Sequence, residues 1–178
     1  MVDLSKFNKD PFERGAPAVK ELLWRMIQQG LFNVEWIRAY GLKHHILCGF
    51  GAKLAPGVVV KPKAKITFPW KLSVGSNTWI GEEVWLLNLN RITIGSNVCI
   101  SQRAFLCTGS HDWSKEAFDL ITKPIIIEDG AWICADVFIG PGVTVGENSV
   151  VTAGSVVTND LPPNMVCSGN PCVAVKQR

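Results

Sequence analysis

Histidine is scarce in this chain: among 178 residues there are only His44, His45 and His111. A zinc centre of three imidazoles, as γ-class carbonic anhydrases build on repeat prisms across a subunit interface, needs ligands that the body of the chain does not hold. The six cysteines, at 48, 99, 107, 134, 167 and 172, show no C-x-x-C spacing. Several fall within a repeat pattern as small residues, and reduced thiols in a cytosolic protein are expected. No apolar run approaches the length of a membrane span, and Met1 to Arg14 is polar rather than a signal peptide. Net charge is only +3, without a basic block, so nucleic acid is not an expected partner. With 47% hydrophobic residues the chain nonetheless has material for one buried core.

What is present is a period of six. Aliphatic residues run through Val74, Ile80 and Leu86, slip by two, and continue through Ile94, Ile100 and Leu106. They resume at Ile127, Ile133, Ile139, Val145, Val151 and Val157, and extend backward to Ile66, Val60 and Leu54. Small or β-branched residues lie four places on, at Thr78, Val84, Val98, Ala104, Ala131, Val137, Val143, Ser149 and Ser155. Neither a helix at 3.6 nor a strand at 2 has this period. It predicts a mainly β fold, a parallel β-helix of hexapeptide repeats whose core is buried only by stacking coil on coil. The prism is expected over residues 54–162, behind an N-terminal helical region (1–53) and ahead of a short tail (163–178).

The register breaks once. After Leu106 the next core position should be 112, but the pattern returns only at Ile127, which predicts an excursion over 112–126. His111 stands at its mouth. Excursions on rigid scaffolds are where chemistry concentrates, and histidine is the side chain best suited to proton transfer near neutral pH. His111 is therefore the candidate catalytic residue. Asn88 and Asn90, about one coil away, are candidates to contact a substrate, although an exposed asparagine is usually just a turn residue. Asp112 and Trp113 are candidates to line a substrate pocket.

Two helical stretches are predicted upstream, Ala18 to Tyr40 with a break at Gly30, and Val34 to Leu47, which carries Trp36 and Ile37. Their expected task is to cover the open end of the solenoid. The alternative is weak association with a membrane surface. Stacking the coils also predicts outward columns, Trp79-Cys99-Trp132-Val150, Trp85-Phe105-Phe138-Val156 and a polar Arg91-His111-Thr144. Exposed apolar columns of that extent predict self-association.

The stretches "TGSHDW", "KPIIIEDGAWICADVFIGPGVTVGENSVV", "AGSVVTNDLPP" and "GNP" resemble the hexapeptide-repeat O-acetyltransferases that use acetyl-coenzyme A. The N-terminal "DLSKFN", "GAKLAPGVVVKP" and "FPWKLSVG" extend the likeness over nearly the whole chain, toward the colanic-acid-type enzymes that acetylate sugars in exopolysaccharide assembly. The resemblance implies a left-handed β-helix, where general rules favour right-handed crossovers. It also implies a homotrimer, no metal, and direct transfer to a sugar hydroxyl with His111 as base and backbone N–H groups at the oxyanion. Coenzyme A contacts carry over to Trp132, Ala135, Ala153 and Thr158, with Lys176 or Arg178 supplying charge for the phosphates. The chain departs from the pattern at Leu87, Asn159 and Val173, where relatives often carry Asp, Lys and a cation. Serine, an antibiotic or an amino sugar remain alternative acceptors, and a non-catalytic trimeric scaffold is the alternative of another class.

Overall fold

The structure is a computed structural model and describes residues 1–7, 12–34 and 40–178. Short strands wind as a parallel β-helix with three faces. The first face stacks Lys53–Leu54, Leu72–Val74, Ile92–Ile94, Ile125–Ile127 and Thr144–Val145. The second stacks Val59–Val60, Trp79–Ile80, Cys99–Ile100, Trp132–Ile133, Val150–Val151 and Met165–Gly169, with Cys172–Gln177 antiparallel at its edge. The third stacks Lys65–Ile66, Trp85–Leu87, Phe105–Cys107, Phe138–Ile139 and Val156–Val157.

The sixth-position aliphatics meet directly from coil to coil, as in Val74, Ile94, Ile127 and Val145 on the first face. Ile80, Ile100, Ile133 and Val151 do the same on the second. All are buried, each contributing about 1.5–3 kcal/mol relative to exposure. The small residues four places on are buried as well. Where they are polar they are satisfied: Thr78 Oγ1 donates to Gly95 O at 2.7 Å and accepts from Val98 N–H at 3.1 Å.

Two corners of each coil turn through left-handed backbone. Between the first and second faces the turning residues are Gly57, Asn77, Asn97, Gly130, Asn148 and Asn164, all at positive φ. Glycine and asparagine tolerate that region best. Between the second and third faces they are Lys63, Glu83, Arg103, Asp136 and Gly154, and the opposite charges ladder down the edge, with Arg103 Nε on Asp136 Oδ1 at 2.8 Å.

Helix α1 (Ala18–Ile27) runs into a π-helical turn, Gln28–Phe32, and helix α2 spans Tyr40–Gly49. The predicted Trp36 and Ile37 lie outside the described residues. These elements cover the first coil. Trp24 Nε1 donates to Ile66 O at 2.7 Å, Gln28 Oε1 accepts from Ile66 N–H at 2.7 Å, and Lys63 N–H donates to Phe32 O at 2.6 Å. The edge strand thus finds partners where no further coil exists. The face that does this holds Glu21 and Trp24, both buried, while Val19, Leu22, Leu23 and Met26 point outward.

The chain leaves the prism as a hairpin, Gly109–His111 against Leu120–Thr122. It departs at Gly109 and has rejoined by Ile125, which pairs with Ile92. The outward column of the first face is therefore Ser73, Thr93, Ile126 and Thr144. His111 does not stack between Arg91 and Thr144, because it already belongs to the hairpin. The other two outward columns are in the expected register. Past the prolines the tail adds a parallel rung, Val166 and Cys167 beside Val150 and Val151, before it reverses.

Candidate active site

His111 is partly buried in the hairpin, paired with Leu120. Its Nδ1 lies 2.8 Å from Phe118 O. A carbonyl oxygen only accepts, so Nδ1 carries a proton here, and in the neutral ring the lone pair is then on Nε2. The imidazole lies on the Phe118 ring at 4.3 Å between centroids and 5° between planes, and Phe7 closes on it at 5.6 Å. Phe118 itself has φ of 52°, a strained conformation for a bulky residue. The N-terminal segment is tied to the hairpin by Asp3 N–H donating to Glu116 O at 2.8 Å and by Lys6 on Glu116 at 2.8 Å. A histidine held in one tautomer by a backbone carbonyl is a ready proton acceptor at Nε2.

The neighbouring candidates divide. Asn88 is fully buried, and both ends of its amide serve Phe68: Oδ1 accepts from Phe68 N–H at 2.8 Å and Nδ2 donates to Phe68 O at 2.6 Å. It continues the sheet's hydrogen bonding with a side chain and presents no surface to an acceptor. Asn90 donates from Nδ2 to Thr122 O and Thr122 Oγ1, each at 3.2 Å, and so anchors the hairpin's returning strand. Asp112 accepts from Ser114 N–H and Oγ, and these bonds, with Lys115 nearby, hold its carboxyl below the usual range. Trp113 is 80% exposed beside an opening of about 340 Å³ between Met1, Val2 and the hairpin.

The residues expected near coenzyme A fall on two sides. Trp132 projects from the second face, half exposed, and its Nε1 donates to Ser101 Oγ at 2.9 Å. Ser101 lines a groove of about 540 Å³ with Lys61, Trp79, Glu82, Gln102 and Arg103. Ala135 and Ala153 sit at the adjoining corner, where Gly154 N–H reaches Ala135 O at 3.0 Å. Lys176 falls in the row of Trp132, through Val150 and Val166; three strand spacings put it about 14 Å away. Thr158 lies instead past the third face, beside Gly140, at the corner where the hairpin is rooted. Arg178 is occupied elsewhere, its guanidinium donating to Gly130 O at 3.0 Å and Asn148 O at 2.9 Å. Within one chain, His111 and Trp132 are on opposite sides of the prism, a corner against a face.

A model of the bacterial transferase hexapeptide, six repeats, matches residues 124–159. Over all of this chain and 98% of the other, 43% of residues are identical to an Escherichia coli protein named as a colanic acid biosynthesis acetyltransferase, WcaF. The chain belongs to the hexapeptide-repeat acetyltransferases. Among solved members of that kind, VCA0836 of Vibrio cholerae, complexed with acetyl-coenzyme A, superposes with a TM-score of 0.80 at 30% identity, covering 99% of this chain and 98% of that one. A galactoside acetyltransferase in complex with coenzyme A gives 0.81 at 28% identity, over 89% and 80%. Membership makes this chain an acyltransferase, a transferase rather than a bare scaffold.

Three residues at the site escaped the sequence. Phe118 and Phe7 flank His111, and Ser101 holds the Trp132 indole. Phe7 falls within "DLSKFN", where the family resemblance was its only signal. Phe118 and Ser101 come close only through the hairpin and the coil stacking, which no linear pattern reports.

Proposed function

We propose that this acetyltransferase moves acetyl from acetyl-coenzyme A to a hydroxyl of a sugar or polysaccharide precursor, in the cytoplasm and as a homotrimer, with His111 as general base. The observation that carries this is the Nδ1–Phe118 carbonyl bond, which occupies one ring nitrogen of His111 and leaves Nε2 as the one that can face an acceptor. Acetyl-coenzyme A, when bound, supplies an acetyl thioester. His111 Nε2 takes the proton of the acceptor hydroxyl as that oxygen attacks, and holds it for the departing sulfur. Phe118 and Phe7 fix the plane of the ring, and Trp113 offers an aromatic surface to a sugar.

In this reading Trp132, Ala135, Ala153 and Lys176 contact the cofactor, with Ser101 holding the Trp132 indole at the edge of the groove. An exposed indole for the arm, small corner residues beside it and a cation in the same row suit a long anionic ligand. Thr158 lies on the other side with His111, so one chain offers two half-sites that do not meet. A rotational assembly that sets the second face of one copy against the hairpin corner of the next unites them. It also covers Trp79, Trp85 and Trp132, each 41–55% exposed. The six cysteines are all free, as suits a reducing compartment.

The sugar acceptor is supported by the WcaF likeness over the full chain. The test is coenzyme A release with sugar nucleotides and lipid-linked oligosaccharides as acceptors, on wild type and His111→Ala. Turnover of the variant should fall by about 100-fold or more while acetyl-coenzyme A still binds. A variant retaining most of the turnover removes His111 from the chemistry. Wild type running as a single chain in light scattering removes the trimer.

A further inference from the structure

Helix α1 has two faces with separate tasks, and covering the first coil uses only one of them. Its inner face supplies Trp24 and the buried Glu21. Its outer face carries Val19 at 69% exposed, Leu22 at 60%, Leu23 at 49% and Met26 at 61%. Positions separated by three and four residues lie on one side of a helix, so these form a single apolar stripe. Nothing among the described residues covers it. Helix α2 presents a further exposed leucine, Leu42.

The charge around this stripe is one-sided. Among the described residues, 12–34 and 40–71 hold nine Lys and Arg against two Asp and Glu, whereas residues 72–178 hold six against ten. The end of the prism that carries α1 is thus strongly positive and the rest is negative. Next to the stripe, a single carboxylate, Glu21, is shared by Arg14 at 2.7 Å and by Arg25. Two exposed guanidiniums on one buried carboxylate leave a net positive charge there.

From these observations we infer that the α1 end of the molecule docks peripherally on an anionic lipid bilayer, with the Val19-Leu22-Leu23-Met26 stripe in the interface. Apolar side chains entering the headgroup boundary, beside cations that meet acidic lipid, are the two contributions such binding needs. Four side chains expose roughly a few hundred Å², short of the about 800 Å² per partner of a stable protein interface. A second copy meeting the stripe would bring like charge against like charge. A helix side is also convex, suited to a fluid surface more than to a fitted pocket. No helix among the described residues is long and apolar enough to cross a membrane, so the attachment is superficial. The surface stands independently of the acetyl acceptor.

The experiment is co-sedimentation of the full chain with vesicles of phosphatidylethanolamine and phosphatidylglycerol, and with vesicles of phosphatidylcholine alone, at low and high salt. Binding should favour the anionic vesicles and weaken as salt rises. The exposed double variant Leu22→Glu/Met26→Glu should lose at least about tenfold in vesicle affinity, with Tm, assembly mass and turnover on a water-soluble acceptor unchanged. Leu22→Ser/Met26→Ser, a gentler pair, should show a smaller loss in the same direction. Wild type that ignores anionic vesicles, or a glutamate variant that binds them as wild type does, overturns the proposal. A glutamate variant whose assembly mass falls assigns the stripe to a contact between copies and overturns it equally.

Discussion

Phe118 holds His111 twice, by its ring, 4.3 Å away and parallel within 5°, and by its carbonyl oxygen, 2.8 Å from Nδ1. One residue thus sets both the plane and the tautomer of the proposed base. Phe118→Ala keeps the carbonyl and removes the ring. Turnover should fall between about 10- and 100-fold, the cost of a slightly misplaced group, with the KM for acetyl-coenzyme A unchanged. Phe118→Tyr should restore most of the rate. A rise in KM for acetyl-coenzyme A without loss of kcat would show that the ring serves binding instead.

Trp132, Lys176 and Arg178 separate by location. Trp132→Ala should raise the KM for acetyl-coenzyme A about tenfold, and Lys176→Ala by a few-fold, in steady-state titrations with acceptor saturating. Arg178→Ala should leave that KM alone and lower Tm, since its guanidinium is spent on Gly130 O and Asn148 O. A KM effect at Arg178 larger than at Lys176 would reverse the placement of the phosphates.

Asn88 offers a contrast between stability and binding. Asn88→Ala strands a buried N–H and C=O of Phe68, costing about 2–4 kcal/mol. For a chain of this size that is a fall in Tm of about 5–10 °C, with the acceptor KM of the folded enzyme unchanged. An acceptor KM that rises while Tm holds would return Asn88 to the substrate site.

Lys43 gives a pH dependence. It is fully buried, its Nζ has no hydrogen-bond partner among the described residues, and burial holds its pKa below the ordinary 10.5. The folded chain therefore binds this proton less tightly than the unfolded chain does. Stability is penalised below the folded pKa, and the penalty fades as pH rises toward 10.5. Lys43→Met should raise Tm by about 3 °C at neutral pH, and calorimetry near pH 10 should find the gain smaller. An equal gain at both would assign it to packing alone.

The hexad period was sufficient for the coils because burial enforces it: Ile80, Ile100 and Ile133 must all point inward for the prism to hold. The apolar columns through Trp132 and Phe138 followed from the same count. The hairpin root was misplaced by three residues, since the hairpin is zipped by backbone bonds, Lys123 N–H to Thr108 O and Asp112 N–H to Asp119 O, that no hydrophobic spacing records. Helix α1 was legible in part. That it would cover the open end was legible, but not with which residues: an open strand edge requires donors and acceptors, and Trp24 of the helix and Gln28 of the following turn supply them. Asn88 was legible as a corner residue but not as a buried one, because only the stacked coil above reveals that Phe68 needs its amide.

A parallel solenoid has no intrinsic length, for each coil presents to the next the template it was itself laid upon. Here that growth is stopped by unlike devices at its two ends. At one, Trp24 and Gln28 occupy the Ile66 peptide; at the other, Cys172–Gln177 runs against the direction of its neighbour on the second face. The stops make this chain a counted object instead of a fibre seed. A lesion at Trp24 would then reveal itself first as end-to-end growth of molecules that are otherwise correctly wound.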